Sequence, residues 1–432
     1  MTRRVAFVAL AVYAAFLCVV LARVRGAESA APSSPMAVFG AAPFRGRSGG
    51  PLSEPTFVYR GSNARLGLDP IETFDGPLAL AWQFSPVNLG IHAAAKSSPS
   101  VDASGIYVGS DTGTFTAVDF AGAVRWSFHV DNAPQGIHAT AALDGDNVYF
   151  GDYKGRFYAL RKDSGDLVWA NQLGETIGSS AAIVGPAIYV TVERNHPFNG
   201  FVAKLDRRTG AVVWLSDWLG EQSHASPTVD PTRGALYVGA NNGLLRALAL
   251  DSGQERWRTP LDGTVKSTAV LVDGTLYLTT GAGHLYAVEA DSGKIRWQTE
   301  LSGTAKGSPS FVPEEDLLVV GSNAGTAKRA ARGRVQAVRA SDGAIVWSVE
   351  TDFGDMRASP TIVGSKEGGH VAWMSCAERA VCAFSTGSGE IRDRLALPGA
   401  FTGTPTLHDG RLYLTLFDGG LLAFRPSPSG ER

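Results

Sequence analysis

Lys96, His138, His224, Lys266, Lys306 and Arg357 recur at intervals of 42, 86, 42, 40 and 51 residues. Each stands two residues ahead of a hydroxyl: Ser98, Thr140, Ser226, Thr268, Ser308 and Ser359. Ser180 and Thr404 complete the hydroxyl column, with Gly178 and Thr402 at the matching cationic positions. Six Lys, Arg or His in one column of eight is far more than 39 Lys plus Arg and 8 His among 432 residues would place there. Cations beside hydroxyls are the groups that recognise carboxylate or phosphate. Side chains alternate along a strand, so if these columns open strands, cation and hydroxyl share a facing. Repetition around an axis then sets a basic collar above a hydroxyl collar. Such a concave ring focuses field on anions even at a net charge of −2. The competing reading is a set of solvated loop-end residues kept apart by water.

Other chemistry is poorly supported. The histidines form no ligand pair at i, i+4 on a helix, and there is no HExxH. No paired carboxylate orients a His beside the hydroxyl column, which argues against a Ser–His–Asp triad. Glu314 and Glu315 lie in "PEED" and read as solvated turn charges. No metal site is expected.

The elements that carry the columns follow from a repeat. Trp82, Trp126, Trp169, Trp214, Trp257, Trp297 and Trp347 are spaced by 44, 43, 45, 43, 40 and 50 residues, and Asp393 follows in the same column after 46 more. Before most of them stands a turn of the type "DSG". A period near 44 fits four short strands and their turns, one propeller blade. In one unit "STAVLV", "TLYLTT", "LYAVEA" and "KIRWQTEL" have strand composition, and the gaps hold glycine. The tryptophans then lie on outer strands as wedges between blades; a platform for one ligand would need one Trp. The strand "LALAWQF" has no unit before it, and the C-terminal "GTPTLHDGRLYLTLFDGGLLAFRP" supplies three strands. Joining them makes a mixed blade and hides the sheet edges. The expected fold is all-β, an eight-bladed propeller closed by its N- and C-terminal strands.

Residues 1–26 read as a signal peptide or N-terminal membrane anchor. "MTRR" precedes an uncharged apolar run of 18 residues, Val5 to Ala22. Arg23 and Arg25 favour an anchor, and the small residues of "GAESAA" allow cleavage. Leu17 stands before Cys18 where a lipoprotein signal has a small residue, so lipidation is not expected. Residues 27–75 read as linker and propeller lead-in, 76–425 as propeller and 426–432 as a tail. The body is expected outside the cytoplasm, periplasmic or membrane-anchored, and so away from nucleic acid. In that compartment Cys376 and Cys382 are either a cross-hairpin disulfide or two buried thiols. Two insertions should share the collar's face: "SNAGTAKRAARGRV", with Lys328, Arg329, Arg332 and Arg334, and "ERNHPFNG".

The repeat A-x-x-x-D-S-G-x-x-x-W, at Ala247 to Trp257 and Ala287 to Trp297, resembles the pyrroloquinoline-quinone (PQQ) type propeller repeat. With eight blades after an export signal, the chain is similar to the outer-membrane assembly factors of the BamB family. That resemblance implies a non-catalytic envelope scaffold, binding envelope proteins or another anionic partner, with no cofactor. The missing lipobox departs from the family. The same repeat occurs in quinoprotein dehydrogenases, so a PQQ-binding oxidoreductase or sensor is the alternative. The adjacent Cys–Cys pair and CxxCH typical of many such enzymes do not occur here. A rigid spacer is the third reading.

Overall fold

Between Val270 and Glu300 the chain makes four antiparallel strands, Val270–Val272, Thr275–Thr279, His284–Glu289 and Ile295–Glu300. The first turn is Asp273–Gly274, with φ of 45° and 76°. Positive φ at both central residues suits a two-residue hairpin. Thr275–Thr279 is buried along its whole length, whereas exposed positions recur along Ile295–Glu300. The inner strands are covered on both faces by neighbouring sheets, and the outer strand meets water.

Eight such sheets form a propeller in the computed structural model, which describes residues 55–74, 76–85, 87–91, 97–131, 135–324, 332–352 and 356–427, with Pro35, Phe44 and Arg45. The readings on the targeting segment, most of the linker, residues 428–432, Lys96, Lys328 and Arg329 lie outside the described residues. Numbered in chain order, blades one to seven open at Ser100, Ala142, Ala182, Thr228, Val270, Ser310 and Thr361. Blade eight joins Thr406–His408, Arg411–Thr415 and Leu421–Pro426 to the N-terminal Leu78–Phe84, antiparallel to its neighbour. Asp393 Oδ2 accepts the Leu78 N–H at 3.2 Å, so the residue in the tryptophan column anchors the closing strand.

Each tryptophan latches its blade to the next. Trp82, Trp126, Trp169, Trp214, Trp257, Trp297 and Trp347 donate Nε1–H to carbonyls of Phe120, Lys162, Arg207, Leu250, Ala290, Ala340 and Thr386, at 2.6–3.2 Å. A glycine two or three residues later lies against the same indole. At Gly210 φ is +71° and a Cβ would stand 2.4 Å from the Trp169 ring. The turn glycine is therefore required twice, for its left-handed backbone and for the indole's approach. The apolar core lies between blades: one cluster joins Tyr189, Val202 and Trp214 of blade three to Val229, Leu236 and Leu248 of blade four.

Residues 55–74, read from sequence as the end of the linker and lead-in, thread the ring. Pro55–Phe57 pairs with the inner edge of blade two, and Leu68–Phe74 runs parallel to the inner strand of blade seven. Between them Arg60 and Arg65 are buried. Arg65 donates to the carbonyls of Tyr59, Ser180, Ala181 and Pro227 at 2.7–3.3 Å, so four blade and plug carbonyls share one guanidinium. Unlike the blades, this plug has no repeat that could reveal it in the sequence.

A disulfide joins Cys376 to Cys382, with Cα atoms 5.7 Å apart. The blade-seven ladder shifts register between Ser375 and Ala377, placing Cys376 in the bulge opposite that hairpin arm.

Burial also sets an alkaline limit. It raises the Tyr189, Tyr237 and Tyr286 pKa values to about 12, and those of Tyr149, Tyr153 and Tyr158 further. Unfolded tyrosine ionises near 10. Between pH 10 and 12 the unfolded chain sheds these protons first, so stability falls as pH rises. Arg60 and Arg65, depressed by burial to about 10 and about 9, act in the opposite direction. Six tyrosines outweigh two arginines. Thermal melts should show a falling Tm above pH 10; a rising Tm there would contradict this assignment.

Candidate functional site

The face where the innermost strands begin is the mouth of the axis. There the backbone N–H of one hydroxyl-column residue donates to the hydroxyl oxygen of the next blade. Ser98 donates to Thr140, Thr140 to Ser180, Ser180 to Ser226, Ser226 to Thr268, Thr268 to Ser308, Ser308 to Ser359 and Thr404 to Ser98, at 2.9–3.2 Å. The column is thus a cement ring. Because each such oxygen accepts from the backbone, its own O–H remains to be donated. All eight hydroxyl residues line a cavity of about 730 Å³. Tyr59 of the plug also lines this cup, its hydroxyl 3.5 Å from Thr404 Oγ1.

His138, His224, Lys266, Lys306 and Arg357 also line the cup. They do not make a uniform collar. Lys266, Lys306 and Arg357 come from consecutive blades five to seven and form one cationic arc. Burial pulls the Lys266 pKa down, Lys306 repels it further, Glu193 opposes the shift and Arg357 adds to it. Among the described residues neither Lys266 nor Lys306 has an ion-pair partner. The facing arc, from blades two to four, is mixed. His138 is buried, donates Nε2–H to Gln135 O at 2.6 Å and packs on Tyr153. His224 Nδ1 is 2.9 Å from Oε1 of the buried Glu193, the one carboxylate lining the cup among the described residues. A donor-rich arc facing a carboxylate suits an anion, or a larger anionic group with a donor at one end.

Arg332 and Arg334 stand apart from the cationic arc. They do not line the cup. The blade-six insertion extends the hairpin Leu317–Ala324 and Arg332–Arg339, which keeps both arginines in the ladder beside the outer strand. There both pair with Glu350, Arg334 through Nη2 at 3.5 Å. The blade-three insertion does reach the cup, through Glu193 and Asn195 on Ala187–Asn195. Sequence reasoning missed Glu193, Tyr153, Gln222 and Tyr59. The first lay in an insertion already expected on this face; the plug tyrosine carried no signal. Among the described residues no cluster of three or more His, Cys, Asp or Glu could hold a metal ion.

A family model described as "Outer membrane protein assembly factor BamB" matches residues 78–196, 198–328 and 331–427. BamB of Yersinia pestis is 25% identical over 220 residues, covering 49% of this chain and 52% of that protein. The chain therefore spans about half the length of this relative. Among solved structures, a europium-containing methanol dehydrogenase superposes with a TM-score of 0.73 at 14% identity, over 86% of this chain and 98% of that one. BamB from Moraxella catarrhalis gives 0.61 at 19%, over 81% and 99%. These two likenesses show the fold alone.

Proposed function

Because the chain belongs to the family described as outer membrane protein assembly factor BamB, we propose that it is a non-enzymatic binding scaffold of the cell envelope. It grips a protein partner by an acidic segment at the mouth cup. The observation that carries this reading is the arc of Lys266, Lys306 and Arg357 above hydroxyls that still have protons to donate. The curated relative's name supports a partner in outer-membrane assembly.

The test is affinity capture from detergent-solubilised envelope, comparing the wild type with Lys266→Gln/Lys306→Gln/Arg357→Gln. The wild type should retain a defined protein that 0.5 M salt releases, since a few tenths molar salt screens exposed charges beyond several ångströms. The triple variant should retain none while still giving a cooperative melt, which shows that the loss is of binding and not of folding. Equal capture by both proteins would remove the mouth from the reading.

The second reading, a PQQ-binding quinoprotein or sensor, is favoured by the same cationic arc, since PQQ is a polycarboxylate. Lys266, Lys306 and Arg357 fit such an anion. A calcium partner fits less well: calcium takes six to eight oxygen ligands, and among the described residues Glu193 is the single carboxylate lining the cup, already paired with His224. Titration with PQQ and calcium distinguishes the readings. Stoichiometric PQQ binding with dye-linked alcohol oxidation would favour the enzyme.

A further inference from the structure

The plug covers the inner edges of the blades unevenly. The N–H groups of Val229, Leu271, Phe311 and Ile362 reach the carbonyls of Asn63, Ala64, Leu66 and Gly67 at 2.8–3.0 Å. Ile183 N–H reaches Asn63 Oδ1 at 3.2 Å, and Leu143 pairs with Phe57. Blades two to seven are thereby capped. In blades one and eight the same position is Val101 and Leu407. Val101 pairs with Ile106 and Leu407 with Leu412 in the register of Val229 with Leu236. Their N–H groups therefore also turn to the axis, where no described residue accepts them. Both residues are buried.

Val101 and Leu407 line a second cavity, about 620 Å³, on the plug side of the hydroxyl ring. It meets the cup at Tyr59, Ser98, Thr140 and Thr404, and its rim includes the exposed Ala103 and Ser104. Arg60 lines it too. This guanidinium, 5% exposed, donates Nε–H to Arg65 O at 3.1 Å and Nη2–H to Ser310 Oγ at 3.0 Å and to Pro309 O, while Nη1 has no hydrogen-bond partner among the described residues. The chamber's carboxylates serve other groups. Asp102 bonds Lys162, Glu72 accepts the N–H groups of Asp409 and Gly410, and Asp69 accepts that of Glu72. The chamber thus combines two strand-edge donors with a buried guanidinium for which no ion pair to a carboxylate is found among the described residues.

We propose that this chamber receives an extended polypeptide end, its backbone added along the free inner edges at Val101 and Leu407 and its terminal carboxylate set against Arg60. The chain already fills the other six edges with its own extended segment, so the recognition is the one it uses on itself. Strand addition supplies main-chain hydrogen bonds, and capture of a terminal carboxylate supplies direction. This site is separate from the cup and does not depend on the function proposed for it.

The probe is a labelled N-acetyl-Val-Thr-Val-Thr peptide with a free carboxylate, titrated by anisotropy against the detergent-solubilised full chain. Saturable binding is expected. The carboxamide should bind about tenfold more weakly, as expected for loss of a charge-assisted hydrogen bond. Leu407→Pro removes an N–H that no ladder uses, a substitution strand edges tolerate, and should abolish binding while the melt is kept. Ala103→Trp, at the exposed rim, should also block entry. Lys266→Gln/Lys306→Gln/Arg357→Gln should bind as wild type does. No binding to the wild type, equal affinity for acid and amide, or binding unchanged in both blocking variants would overturn the proposal.

Discussion

Trp169→Ala is expected to lower the unfolding free energy by about 3–5 kcal/mol, the usual cost of deleting a buried large aromatic. Trp169 is 1% exposed, donates to Arg207 O at 3.2 Å and packs on Tyr149, the ring centroids 5.9 Å apart. Its loss opens a void between blades two and three and strands a carbonyl. Trp297 makes the same latch but is only half-buried, so Trp297→Ala should cost less. Gly210→Ala should also destabilise, since its methyl would meet the indole at 2.4 Å on a backbone with φ of +71°. In the double variant that clash has no partner. The combined loss should fall short of the sum of the two, as for residues in direct contact. Urea denaturation of the four proteins measures this; strict additivity would mean that the turn and the indole are not coupled.

Arg65→Ala is expected to cost a similar amount, about 3–5 kcal/mol, the scale seen when one partner of a buried charged network is removed. Its guanidinium is fully buried, and removal leaves the carbonyls of Tyr59, Ser180, Ala181 and Pro227 without this donor. Burial holds its pKa down to about 9, still well above neutrality, so the group is charged at pH 7. The plug should loosen before the blades do. Hydrogen exchange should quicken at Val229, Leu271 and Phe311, whose N–H groups the plug caps, at denaturant levels that leave the blade ladders protected. Exchange unchanged at those three amides would show that Arg65 does not hold the plug.

Much of the architecture was legible because it repeats. Seven tryptophans at even spacing defined the blades, and the unmatched "LALAWQF" defined the closure. The eight-residue hydroxyl column was visible for the same reason. Its members face one cavity, although each lies two residues ahead of its inner strand and is held there by the inter-blade hydrogen bonds of the ring. The collar was legible only in part. Alternation says which side a residue faces, not what it meets there. His138 is tied to a carbonyl and His224 to Glu193; Arg332 and Arg334 pair with Glu350 on the outer strand.

The sequence by itself determined the blade count, the tryptophan wedges between blades and the order of polar columns around the axis. Each depends on local periodicity and on turns a few residues long, and a period repeated through the chain outweighs irregularities in any one unit. The tertiary structure alone decided that residues 55–74 plug the ring, that the cations gather into one arc, and that blades one and eight keep inner edges no described residue caps. These follow from contacts between residues as far apart as Arg60 and Ser310 or Tyr59 and Thr404. No spacing in the chain encodes them, because the plug occurs once, and which blade edges it satisfies depends on the path it takes through the closed ring.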